Sequence, residues 1–248
     1  MHSLCFFWDV RPDLIQRARA AGCKVLYQVG RLADAIAAAT AGADVIICQG
    51  VEAGGHVQGD VSSLVLLPRV RARRRGAGVS ASGGFATGGG LVRRLRGSAP
   101  RASIAARRSW RRRSPSPTSS TKRRIVEATS EQTVSFRCVR HQLAARARPC
   151  GRCTNSVTEA YRDDLWGHAP DDFPREVIGH EEQRPIYKFS TDSPLRNMTG
   201  DFEAMAPFAG QVCGLIEDIC PAGERLRRIG LGGRDHPGAV RPDLIVPA

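Results

Sequence analysis

The fold can be read from Ala43-Asp44-Val45-Ile46-Ile47-Cys48-Gln49-Gly50-Val51-Glu52-Ala53-Gly54-Gly55-His56. Val45 to Cys48 is a continuous apolar run, β-branched at three of its four positions, which suits a strand buried on both faces. The run stops at Gln49-Gly50, and a Gly54-Gly55 pair then presents His56. A buried strand that ends in a polar residue and opens into a glycine loop marks the carboxyl edge of a parallel α/β sheet or barrel, where such folds keep their chemistry. Glycine lets backbone amides approach a ligand closely, and an imidazole exchanges a proton near neutral pH. His56 is the candidate catalytic residue.

Upstream, Leu4 to Trp8 reads as a short buried strand and Asp9 to Pro12 as a turn. Pro12 suits the first turn of a helix that continues from Asp13 to Ala21, with Leu14, Ile15 and Ala18 on one face. Gly22 closes it, Lys24 to Val29 is the next strand, and Leu32 to Thr40 is an alanine-rich helix ending at Gly42. Three strands alternating with two helices predict a parallel sheet with right-handed crossovers. Downstream, Ser62 to Leu67 with Pro68 reads as the start of another helix, and the pattern is lost from Arg69 onward. Val79 to Gly88 returns to a strand and then a loop, with Gly83-Gly84 at its turn.

The net charge of +13 and isoelectric point near 10.2 have one source. Between Val61 and Val126 there is no Asp or Glu, and there are 17 Lys and Arg; removing these from +13 leaves −4. Residues 93–121 are rich in Arg, Ser and Pro, and Ser114-Pro-Ser-Pro117 fits neither helix nor strand. Such a window is expected to stay disordered, without packed core contacts. It has two readings. One is a genuine polyanion-binding segment, in which Arg93 to Arg124 would bind nucleic acid. The other is a reading-frame disturbance, in which nucleotides encoding an Ala/Gly-rich strand are read out of frame. The mildly acidic remainder calls for no nucleic-acid partner. No apolar run reaches the roughly 18 residues a membrane span needs. The N-terminus lacks a basic leader, and the eight cysteines follow no framework spacing, so a reduced cytoplasmic protein is expected.

Gln49-Gly-Val-Glu-Ala-Gly-Gly-His56 resembles the signature of nitronate monooxygenases, FMN-dependent TIM-barrel enzymes, and the likeness holds from Leu4 and resumes at Asn155. The resemblance implies an α/β fold: a partial TIM (β/α)8 barrel with a C-terminal helical cap and a disordered Arg-rich middle segment. Residues 1–134 would form the partial FMN-binding barrel, disturbed over 69–121. Residues 135–230 would form the C-terminal cap or helical lobe, and 231–248 a disordered tail. It implies FMN as cofactor, a small nitro compound and O2 as partners, and oxidation of nitronates or nitroalkanes to carbonyl compounds and nitrite. By the same likeness His56 is the base or binds the nitro oxygens. Gln49, Gly54, Gly55, Gly83, Gly84 and Gln211 contact FMN, with Gly83-Gly84 as a phosphate loop, and there is no metal. Gly200 to Gln211 resembles the family's cap, where a glycine-glutamine pair ends a helix; Pro207 should break that helix.

Two departures accompany the likeness. The family's earlier βα units have no counterpart before Leu4. Its Gly-Thr-Arg-Phe phosphate grip falls, by spacing, near Ala105-Ala106, so half of the flavin's phosphate hold is expected to be missing. The flavin-type enoyl-ACP reductases share the barrel and a related glycine-histidine loop, and form the competing reading. That group tends to be acidic where this chain has Gln49, which favours nitronate oxidation. The oligomeric state and the particular nitro compound stay open.

Cys138-x-x-His141 and Cys150-x-x-Cys153 have the paired spacing of a compact zinc loop. The surrounding Arg-Ala-Arg-Pro shares the out-of-frame character of the basic window, and no zinc site is expected. His168 and His180 read as surface residues. Metal analysis of the purified protein should find no tightly held zinc, and Cys150→Ser should leave the zinc content unchanged; one equivalent that disappears in the variant would overturn this.

Overall fold

The structure, a computed structural model, describes residues 2–73, 76–85, 102–104, 119–136, 150–164, 173, 175–221, 223–224 and 227. The described residues fall into two compact units: one comprises those up to Glu52, those from Val57 to Ile104, and Glu224 and Arg227, the other Ala53–His56 and those from Ser119 to Gly223.

The first unit is the expected βαβαβ run. Strand β1 is Ser3–Phe6, helix α1 Pro12–Ala20, β2 Lys24–Val29, α2 Leu32–Thr40 and β3 Val45–Gln49. Pro12 sits at the helix start, where its missing N–H costs nothing, and Asp13 lies in the first turn, favourable to the helix dipole. β1 pairs with β2 and β2 with β3, both in parallel. The glycine loop ends in a two-residue strand of the other unit, β4, Gly55–His56. Beyond it α3 spans Ser63–Arg73 and β5 spans Gly78–Ser82. β5 lies parallel to β3, with Val45 opposite Gly78 and Gln49 opposite Ser82. β3 is therefore a central strand. Ile46, Ile47 and Cys48 have no exposed surface. Ile46 and Cys48 join Val25, Val29, Ile15, Leu66, Leu67, Val70 and Phe85 in one apolar cluster.

Four expectations are corrected here. The first strand is not buried: Leu4 and Phe7 are exposed, and β1 ends the strand order. The helix does not stop at Arg69. It continues to Arg73 because Leu66, Leu67 and Val70 form a buried stripe while Arg69, Arg71 and Arg73 point to solvent. Pro68 lies inside it, at the cost of one backbone bond. Residues 93–121 are not without packed structure. Ala102–Ile104 forms strand β6, parallel to Ser80–Ser82 of β5. Helix α4, Ser119–Glu127, buries Thr121 and Ile125, with Ala128 just beyond on the same helical face. The rest of that window, the 231–248 tail and His168 lie outside the described residues. Among the described residues the sheet runs in the order β1-β2-β3-β5-β6 without closing, which establishes an α/β architecture.

The fourth correction concerns the second unit, where the expected helical cap is built mostly of short antiparallel strands. β4, β7 (Thr133–Phe136) and β8 (Cys150–Cys153) form one three-stranded sheet, with β8 in the middle. β9 (Val177–Glu181), β10 (Arg184–Tyr187) and β11 (Met198–Gly200) form another. Helix α5, Ser156–Ala160, has Asn155 at its N-cap with a reciprocal Thr158 bond. Among the described residues no helix is long and apolar enough to cross a membrane.

Asp44 fixes the entry of β3. Its carboxylate accepts from Lys24 Nζ at 2.8 Å and from the Val25 amide at 2.9 Å. Its own amide donates to the Val25 carbonyl, and its carbonyl accepts from the Gly78 amide. Hydrogen bonding to Lys24 and Val25 holds the Asp44 carboxyl below its ordinary 3.8. A lowered carboxylate adds stability above the ordinary value and loses it as pH falls through the lowered one. Asp44→Ala should cost about 1 kcal/mol at neutral pH, the lower end for a charged bond because the side chain is 24% exposed. Urea unfolding of both proteins should show that gap closing below about pH 4; a gap independent of pH would overturn the assignment.

Candidate active site

In the first unit the carboxyl ends of three strands are tied through one residue, Gln58. Gln49, the last residue of β3, is 4% exposed, and its Oε1 accepts from the Gln58 amide at 3.0 Å. The Gln58 side chain then bridges backward. Its Oε1 accepts from the Gly30 amide, just past β2, at 3.0 Å, and its Nε2 donates to the Trp8 carbonyl, just past β1, at 2.9 Å. Buried backbone groups at strand ends need such partners. Gln58 was not among the predicted site residues; its only signal in the sequence is a lone glutamine two residues beyond His56.

The loop after β3 is also anchored to β5 and α3. The Gly50 amide donates to the Ser82 carbonyl at 3.1 Å, and the Val51 amide to the Val61 carbonyl at 3.0 Å. Glu52 reaches across the loop to cap α3: its two carboxylate oxygens accept from the Ser63 amide at 3.2 Å, and the Ser63 hydroxyl donates to it. A carboxylate at a helix N-terminus satisfies orphan amides and meets the positive end of the dipole. Ser82 leads directly into Gly83 and Gly84, whose φ angles of 84° and 72° are left-handed. Two such residues in a row require glycine. This backbone, at the carboxyl end of a parallel sheet, suits a phosphate held by amides and is compatible with FMN.

His56 lies in the second unit, where close backbone contact does the positioning. In the sheet Gly55 is opposite Gly151 and His56 opposite Cys150. A Cβ on Gly54 would stand 2.4 Å from the Ala209 carbonyl carbon and from the Gly210 nitrogen. A Cβ on Gly151 would stand 2.5 Å from the Ala53 oxygen. Three backbone segments meet here with no room for a side chain between them. His56 leaves this junction with its ring against Phe208, centroids 5.7 Å apart. Phe208 belongs to a buried cluster with Val157, Phe173 and Phe189.

Of the predicted site residues, Gln49, Gly83 and Gly84 gather at one end of the first sheet, and Gly54, Gly55 and His56 at the backbone junction. Gly210-Gln211 differs from expectation. The pair opens a 3-10 turn, Gln211–Leu215, instead of ending a helix, and residues 201–210 ahead of it, with Pro207 among them, contain no helix. The Gln211 side chain is exposed, and its carbonyl accepts from the Ser130 hydroxyl at 2.7 Å. Gly210 is the residue of the pair that reaches Gly54. Cys138 and His141 of the zinc spacing lie outside the described residues. Cys153 packs with Cys213, Ile125, Ala209 and Ile216, and the Cys153 thiol draws Cys213 down to about 7. Burial pushes Cys48 up to about 12. Cys5, Cys23, Cys48, Cys153, Cys213 and Cys220 are thiols, not disulfides.

Parallel βα units with a glycine loop at the carboxyl end of the central strand define the first unit as α/β, and His56 is held at a backbone junction within the second unit. The chain belongs to the nitronate monooxygenase family, whose sequence pattern matches residues 3–230. It is 28% identical over 224 residues to nitronate monooxygenase of Neurospora crassa, covering 88% of this chain and 56% of that protein. It thus spans little more than half of that relative's length. The fold is similar to nitroalkane oxidase from Streptomyces ansochromogenes, with a TM-score of 0.67 at 23% identity over 93% of this chain and 63% of that one. FabK from Thermotoga maritima is alike to the same degree, TM-score 0.67 at 22% identity, covering 92% of this chain and 66% of that one. At these identities the structural likeness speaks for the fold.

Gly151→Ala tests the backbone junction. The added methyl must push apart segments that carry no flexible side chain, a typical overpacking cost of about 1–3 kcal/mol. The urea midpoint should fall accordingly; an unchanged midpoint would mean that the junction opens freely.

Proposed function

We propose that the protein acts in FMN-dependent oxidation of nitronates or nitroalkanes by O2, yielding a carbonyl compound and nitrite. Family membership across residues 3–230 supports this reading. The observation that carries it is His56, set by a glycine junction against Phe208 instead of being left on a mobile loop. Its imidazole would take the α-proton of a neutral nitroalkane or hold the nitro oxygens of a nitronate already formed.

Gly83 and Gly84 would hold the FMN phosphate through backbone amides, and Gln49, Gly54 and Gly55 would contact the flavin, with Gln211 contributing from the cap. FMN, when bound, supplies the electron acceptor and passes electrons on to O2. The chain's own residues bind, orient and exchange the proton. Ala105-Ala106 stands where the family's Gly-Thr grip would fall and lies outside the described residues. Losing two charge-assisted bonds, each about 1.5–3 kcal/mol, weakens binding by roughly a hundredfold or more. Low FMN affinity is therefore expected.

FMN titration followed by fluorescence, with nitrite release from a primary nitroalkane and from its preformed nitronate, tests the proposal. Nitrite should appear only with added FMN. His56→Gln should lower turnover of the neutral nitroalkane by about a hundredfold or more, and turnover of the preformed nitronate by less. FMN-saturated protein that forms no nitrite from either substrate would sink the activity. Equal loss with both substrates would remove the base role.

A further inference from the structure

Arg152 is the largest side chain that the described structure buries completely, at 1% exposure. A guanidinium keeps its charge at any pH the protein survives. Buried charge is expensive, and Arg152 stands beside the residue proposed to do the chemistry.

The sheet register places it. β8 is the middle strand of the β4-β8-β7 sheet. His56 is opposite Cys150, and Arg152 is opposite Val134 of β7. Side chains alternate along a strand, so position 152 shares its face with position 150, and therefore with His56 and Val134. Contacts on that face agree: the His56 ring lies on Phe208, and Val134 packs against the cluster containing Phe208, Phe189 and Phe173. Arg152 is thus a diagonal cross-strand neighbour of His56. Cβ atoms so related lie about 7–8 Å apart or less, within reach of a long side chain. A permanent cation shares an aromatic-rich, water-poor face with the imidazole.

We propose that Arg152 is the anion-binding residue of the His56 site, holding the two oxygens of a nitronate through its planar guanidinium. This rests on the nitronate reading and deepens it. A nitronate is a planar anion with two oxygens, a shape a guanidinium grips with two parallel N–H bonds. Away from bulk water the attraction is less screened than at a surface. The residue would select the anionic form of the substrate and orient it, while His56 exchanges the proton.

Nitrate, planar, anionic and inert to oxidation, is the probe. Calorimetric titration should show nitrate binding to the wild type. Arg152→Lys should weaken it about tenfold, since an ammonium is a point charge without the paired donors, and Arg152→Met should abolish it. In assays with the preformed nitronate, Arg152→Lys should raise KM about tenfold with kcat changed far less, a split that loss of structure would not produce. The wild type alone provides a further reading should the variants fail to fold. Nitrate should move the His56 imidazole proton resonance, assigned by its absence in His56→Gln. Absence of nitrate binding, an unchanged affinity in Arg152→Lys, or an unmoved His56 resonance would each overturn the proposal. Nitrate binding that depends on Arg152 without any nitronate oxidation would remove the activity and leave the anion site. Oxidation with an unaltered KM in Arg152→Lys would do the reverse.

Discussion

A buried strand that stops must still find partners for its last amides and carbonyls, and much of the first unit answers that demand. Gln58 meets it for three strands at once, taking the Gly30 amide and the Trp8 carbonyl on its side chain while its own amide donates to Gln49. Gln58 is therefore held at the sheet edge. Glu52 extends the same arrangement to the next helix through Ser63. The short stretch 49–63 supplies much of the first unit's backbone satisfaction. That is why a glutamine and a glutamate sit where an apolar core might be expected.

The second unit fixes its histidine by another means. Gly54, Gly151 and the Ala209-Gly210 peptide approach so closely that no Cβ fits between them. Elsewhere in this unit polar side chains act as ties. Asn155 caps α5 and donates to the Glu203 and Met205 carbonyls. Glu203 accepts from the Ser156 amide and hydroxyl and from Arg124, whose guanidinium also donates to the Thr154 carbonyl. Arg124 is the last arginine of the window read as a possible polyanion-binding segment. Its guanidinium is part of the fold's internal bonding, so a run of basic residues is not in itself a binding face.

Several elements were legible residue by residue. The β-branched run at Val45 and the punctuation by Pro12, Gly22 and Gly42 are local signals, and each carries its mechanism in a few neighbouring residues. In α3 the charge that begins at Arg69 hides the apolar spacing that carries the helix on to Arg73. Leu66, Leu67 and Val70 suffice for a buried stripe, and the arginines between them simply face water. β6 escaped notice because a strand that adds to an existing edge is held by backbone bonds to Ser80–Ser82, which any side chains permit. The strands of the cap are hard to read for a related reason: each is short, and apart from the β9–β10 hairpin each pairs with a segment more than ten residues away.

The parallel βα order, the glycine loop that ends β3, and the presence of a histidine at that loop's end are all written in the order of residues along the chain. They rest on periodicity and on residue types whose conformational preferences are intrinsic. Three other facts came only with the folded molecule: Gln58 joins three strand ends, Gly151 and Gly210 close on Gly54, and Arg152 shares a buried face with His56. They depend on which distant backbones come within a few ångströms of one another, and on strand register, in which a shift of one residue moves a side chain to the opposite face. No local pattern in the chain encodes either.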